Sequence, residues 1–205
     1  MDEGVPRPST RRSDPERLEA FSDGVMAVLI TLMALDLRVP GGVSLHDLGH
    51  SVTGLLVYML SFAFIGIYWN NHHHLLRSTE RISGAVMWMN LHLLFWLSLI
   101  PVLTKWVADY HRAPLPACTY GVACLGAAVA YSMLVSAIVS ANGSRSDVAR
   151  ALGRDVKGRL SPLAYAAGIG LAWVSPWISY ALYAGVSVMW FVPDRRLSRL
   201  DLDTP

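Results

Sequence analysis

Charge is scarce in this chain of 205 residues: Asp, Glu, Lys and Arg make up 16% of it, against 53% hydrophobic residues. A soluble domain carries about 25% charged residues, so the composition excludes an ordinary soluble domain. The few charges cluster, and the stretches between them approach the ~20 apolar residues that a membrane-crossing helix needs. The net charge is only +2, and the basic residues fall in short runs between apolar segments. No basic face for nucleic acid is built from such a pattern. Cysteine is nearly absent. Cys118 and Cys124 stand six helical positions apart in one apolar segment and point to different faces, so they are expected as unbridged, buried thiols acting as small apolar side chains. The chain also lacks a phosphate loop, a nucleophile elbow and a pair of catalytic carboxylates. No enzyme and no cofactor are expected. The leader Met1–Glu19 is rich in Pro, Arg and Ser and lacks the apolar core and cleavage site of a signal peptide; a disordered cytoplasmic tail over 1–17 is expected.

What the chain has is long apolar segments, and they predict an all-α polytopic membrane protein. The first runs from about Ala20 to Val39 and stops at Pro40-Gly-Gly42. The second runs from about His50 to Asn71, the third from about Ile82 to Val107 with a kink expected at Pro101, and the fourth from about Ala117 to Ala141. The remaining stretch, Pro162–Val192, is roughly 46 Å long as one helix at ~1.5 Å per residue, too long for a ~30 Å hydrocarbon core. Two short helices meeting near Pro176 fit it better. The expected layout is a transmembrane domain over 18–193 and a cytoplasmic tail over 194–205.

Orientation follows from Lys and Arg, which favour the cytoplasmic side of a membrane. With six spans and the N-terminus inside, 14 of the 17 basic residues fall inside: Arg7, Arg11, Arg12, Arg17, Arg77, Arg81, the cluster from Arg145 to Arg159, and Arg195, Arg196 and Arg199. Arg38, Lys105 and Arg112 remain outside. Five or seven spans would put the last arginines on the wrong side, so both termini are expected to be cytoplasmic.

On a helical wheel of ~100° per residue, Val28, Thr31, Leu32, Leu35 and Gly24 form one narrow stripe on the first helix. Ser22 and Asp23 point the other way, towards the rest of the bundle. Two readings stay open. The stripe faces a symmetry axis and lines a path, with Asp23 as an anchor behind it, or the stripe packs against another helix of the same subunit.

A polar layer is expected where the first helix begins and the second ends. Trp69-Asn-Asn-His-His-His74 closes the second segment, and Asn90 and His92 open the third. Asp23, Asn70, Asn71, His72, His73 and Asn90 can meet there, with Arg17 completing the charge. A carboxylate at that depth needs donors, which His and Asn supply. Hydrogen bonding, gating and proton sensing are all compatible with these residue types. Three consecutive histidines chelate poorly on a helix, since neighbours point ~100° apart, so no metal is expected. Thr119-Tyr-Gly121 lacks the context of a potassium-channel filter. Ser132, Ser136 and Ser140 suggest a small-residue helix contact.

The pattern Arg17…Phe21-Ser22-Asp23 resembles the signature of the transmembrane protein 175 family, the endolysosomal potassium channels of animals and their bacterial relatives. Tyr68-Trp-Asn-Asn-His-His, Asn90-Leu-His-Leu-Leu-Phe and Ser175-Pro-Trp…Trp190-Phe-Val-Pro-Asp are similar to later parts of that family. The resemblance extends from about Arg17 to Arg196. It implies a bacterial, single-repeat member in the plasma membrane that assembles as a homotetramer, with the first helices around the pore and no Thr-Val-Gly-Tyr-Gly filter. Carried over by position, Val28 matches the narrowest apolar ring, Leu32 and Leu35 follow it outward, and Thr31 matches a hydroxyl position linked to cation preference. Val28 is smaller than the Ile or Leu that relatives often carry. Arg17, Phe21, Ser22 and Asp23, with Trp69, Asn70, His72, His73 and Asn90, would tie the pore helix to its neighbours. Potassium is the implied permeant ion. A proton-coupled transporter using Asp23 and His72–His74, and a non-conducting scaffold, are the alternatives; potassium flux in vesicles with caesium and sodium controls separates them.

Overall fold

The chain folds into six helices and no strand among the residues that its structure, a computed structural model, describes: 14–37, 40–143 and 156–191. They are α1 (Asp14–Leu35), α2 (Leu45–Arg77), α3 (Gly84–Asp109), α4 (Pro114–Asn142), α5 (Val156–Leu171) and α6 (Pro176–Phe191). The first four are each apolar enough and long enough to cross a membrane. The basic residues expected at 7, 11, 12, 38, 145, 150, 154, 195, 196 and 199 lie outside the described residues, as do the rest of both tails.

Several boundaries differ from the sequence reading. α1 begins at Asp14 rather than near Ala20, so Asp14–Arg17 belong to the helix and not to a tail; Asp14 and Glu16 occupy its first turn, where carboxylates oppose the positive end of the helix dipole. α2 is 33 residues long, and the His run lies within it, followed by a further turn to Arg77. α3 passes through Pro101 without a break. Local chemistry explains the remaining ends. Ser83 caps α3 by accepting from the Val86 N–H at 3.3 Å. Proline occupies the first turn of α4 and the first position of α6, where its missing N–H is not needed. Gly143 closes α4 at φ +94°.

The last two helices form the expected corner at Pro176. Ser179 Oγ donates to the Gly168 carbonyl at 2.6 Å, and Trp190 Nε1 donates to Ser161 Oγ at 2.8 Å, so α5 and α6 fold back on each other. α3 sits at the centre, packed against α1, α2 and α4, while α4 contacts α5 and α6. The α3–α4 approach is close: a β-carbon on Gly126 would collide with the Trp96 ring. The core is filled by Met26, Met33, Ile65, Leu76, Leu93, Leu97, Leu134 and Ile138, each essentially inaccessible. Asn142 ties the α2–α3 loop to the end of α4, accepting from the Glu80 and Arg81 N–H groups at 3.2 and 2.9 Å. The start of α1, the end of α2, the start of α3 and the end of α4 therefore share one end of the bundle, called here the leading end.

Candidate pore helix and its brace

α1 has two unlike faces. Ser22, Met26, Leu29 and Met33 point into the bundle and are buried. Val28, Leu32 and Leu35 point out, 55%, 46% and 82% exposed. Thr31 shares the outward face, and its hydroxyl donates to the Val28 carbonyl at 2.8 Å. That bond uses the only proton of the hydroxyl and leaves its oxygen lone pairs outward. Packing of this stripe within the subunit, one of the two sequence readings, is excluded. Phe21, at 52% exposure, extends the same stripe.

The inward face is held by a chain of hydrogen bonds through the core. Ser22 Oγ donates to the Leu18 carbonyl at 2.8 Å. Asn90 Nδ2 donates to Ser22 Oγ at 2.9 Å, and Asn90 Oδ1 lies 2.7 Å from His72 Nε2. Asn90 donates through its nitrogen, so its oxygen accepts, which makes His72 Nε2 the protonated ring nitrogen. Ser22, His72 and Asn90 are all fully buried. Three helices are thus joined at the leading end by three buried side chains that bond to one another.

Beside this chain lies a second group. His73 Nδ1 approaches Glu19 Oε1 at 2.6 Å, and Asp23 adds a third ligand-type atom within 4.8 Å of both. Trp69 stacks on the His73 ring, centroids 5.9 Å apart. Glu19 is a residue that the sequence reading missed. Its signal was its spacing, one helical turn before Asp23 and so on the same face.

Other expected members of the layer stand elsewhere. Arg17 is exposed and does not pair with Asp23: on the wheel it falls with Leu35, about 120° round α1 from Asp23. Asn70 is exposed, its position turned away from His72 by two helical steps. Asn71 satisfies its own helix, donating to the Ile67 carbonyl at 2.8 Å. His92 accepts from Trp96 Nε1 at 3.0 Å. Ser132 and Ser136 bond to carbonyls of their own helix and face outward, not into a contact within the chain. Tyr120, at the centre of the filter-like tripeptide, is buried in α4. Both cysteines are free.

A further polar layer, not anticipated from sequence, lies towards the opposite end. Thr104 Oγ1 stands 2.7 Å from Ser61 Oγ, which stands 3.0 Å from the Tyr120 hydroxyl. Above it opens a cavity of about 680 Å³ whose lining includes Met33, Asp36, Tyr58, Thr104 and Lys105. Asp36 and Lys105 pair there at 2.9 Å; both are exposed, and such a surface pair adds little to stability.

The family model described as endosomal/lysosomal potassium channel TMEM175 matches residues 17–101, which spans α1, α2 and most of α3. A protein named potassium channel from Chryseobacterium sp. strain P1-3 is 42% identical over 183 residues, covering 89% of this chain and 95% of that protein. One of the same description from Streptomyces collinus is 33% identical, covering 82% and 86%. Among solved structures, a lysosomal potassium-selective channel TMEM175 homolog from Chamaesiphon minutus superposes with a TM-score of 0.75 at 29% identity, over 88% of this chain and 98% of that one.

Proposed function

This chain belongs to the TMEM175 family of ion channels, which are not enzymes, and on that premise we propose that it is a potassium channel whose conducting path is walled by α1. The outward stripe on α1 carries this reading. It is a column of branched apolar side chains with one hydroxyl, presented outside the subunit, on a helix whose other face is pinned by buried polar bonds. Several copies around one axis, four by the family resemblance, turn the stripe into a pore lining.

In that arrangement Val28, Leu32 and Leu35 form stacked apolar rings. Such rings close a path by dewetting, because a hydrated cation cannot be stripped there without replacement ligands. Thr31 sits among them and offers the polar oxygen on the path, which favours a weakly hydrated potassium ion over sodium to a modest degree. Opening requires the α1 helices to turn or spread so that the rings hydrate. Ser22, Asn90 and His72 set the hinge against which they move. No cofactor takes part; the ion is cargo. Six spans with both termini in the cytoplasm of a bacterial cell place the leading end inside, in keeping with Arg17, Arg77 and Arg81 at that end.

Purified protein in potassium-loaded vesicles tests this. The proposal expects potassium efflux with weaker sodium passage and no saturation by substrate. Flux that saturates and needs a proton gradient would make the protein a transporter instead.

A further inference from the structure

We propose that Glu19, Asp23 and His73 form a divalent-metal site that clamps the start of α1 to the end of α2, with zinc as the fitting ion. Glu19 and Asp23 stand one turn apart on α1, and His73 faces them from α2. One ligand-type atom of each residue lies within 4.8 Å of the others. Two carboxylates at this spacing repel one another. Neither pairs with Lys or Arg among the described residues, and Arg17, which is near in sequence, lies on the exposed stripe of α1.

The contacts within the group satisfy it only in part: Glu19 pairs with His73, and Asp23 is left over. Asp23 Oδ1 is enclosed and accepts no hydrogen bond. His73 Nδ1 is enclosed too; it forms an ion pair with Glu19 Oε1 at 2.6 Å but no aligned hydrogen bond. Next to them His72, fully buried, leaves its Nδ1 without a partner. Enclosed atoms of this kind are costly unless something meets them. A single cation meets Glu19, Asp23 and His73 together, with the two carboxylates neutralising its charge.

The donor set selects the ion. One imidazole nitrogen with two carboxylate oxygens suits zinc, whereas magnesium and calcium prefer oxygen alone and copper(I) prefers sulfur. Three protein ligands leave a tetrahedral position for water, as in exchangeable rather than closed zinc sites. The Trp69 ring stacked on His73 holds the imidazole in orientation. Binding at this point joins α1 to α2 directly. It needs nothing from the conducting path and stands or falls independently of the channel reading.

The test is isothermal titration of the chelator-stripped, full-length protein in detergent with zinc chloride. Wild type is expected to bind one zinc per chain in the micromolar range. Glu19→Gln and His73→Gln should weaken binding by about tenfold or more, each with an unchanged gel-filtration profile. Asp36→Asn, at the far end of α1, should bind as wild type does. Glu19→Gln keeps every histidine and lies outside the buried Ser22–Asn90–His72 chain, so it decides the matter if His73→Gln does not fold. Wild type that binds no zinc even at millimolar concentration, or Glu19→Gln that binds as tightly as wild type, overturns the proposal.

Discussion

The two faces of α1 use the same helix in opposite ways. The inward face is short on exposed surface and rich in partners: Ser22 is fully buried and bonded to Asn90, with Met26, Leu29 and Met33 packed below it. The outward face has the converse character. Val28, Leu32 and Leu35 keep large exposed surface, and Thr31 spends its proton on its own helix. Polarity is thus placed where it positions the helix, and bland side chains where an ion would pass. The conspicuous Phe-Ser-Asp cluster belongs mostly to the brace, and only its Phe21 joins the stripe.

This contrast breaks most strongly on the inward side. Asn90→Ala removes the partner of both Ser22 and His72, which are fully buried. A buried unsatisfied group costs about 1–3 kcal/mol, so we expect a loss near the upper end, read as a lowered unfolding temperature in detergent. On the outward side, Leu32→Asn should cost almost nothing in unfolding temperature but wet the constriction and raise resting potassium flux; a gain of about tenfold corresponds to only ~1.4 kcal/mol. Thr31→Val keeps the shape and removes the oxygen. It should preserve flux while lowering the preference for potassium over sodium, measured as a ratio of efflux rates, by roughly threefold, under 1 kcal/mol. Smallest of all, Ser136→Ala, outward-facing on α4 with its hydroxyl donating to its own helix, should stay within about 0.5 kcal/mol of wild type and leave flux unchanged.

Much of this division was readable from the residues. The 3.6-residue period separates Val28, Leu32 and Leu35 from Ser22 and Asp23 on any wheel, and Pro176 marks the α5–α6 corner because proline starts helices well and continues them badly. The family resemblance assigned roles to those faces, which the period alone left open between an axis and a neighbouring helix. What escaped was the choice of partners across helices. Asn70, Asn71 and His72 are adjacent in sequence, and only the tertiary rotation of α2 decides that His72 meets Asn90 while Asn70 faces out. Arg17 is close to Asp23 in sequence, but six helical steps leave the two about 120° apart on α1. Glu19 falls in the polar leader ahead of the apolar run, because α1 starts a turn and a half earlier than that run suggests. The Ser61–Thr104–Tyr120 layer carries no local signature, since isolated hydroxyls in apolar helices satisfy themselves on their own carbonyls as readily as across the core.

The central claim is that the outward stripe of α1 faces water and the ion path rather than lipid. It is tested most directly by cysteine placed at Leu35 in a chain whose own two cysteines are changed to alanine. A charged, membrane-impermeant thiol reagent is applied to vesicles while potassium efflux is followed. The account predicts that Leu35→Cys is modified and its efflux blocked, while Leu29→Cys on the buried face of the same helix is untouched. Unmodified Leu35→Cys with undiminished efflux would place the stripe in lipid and contradict the account.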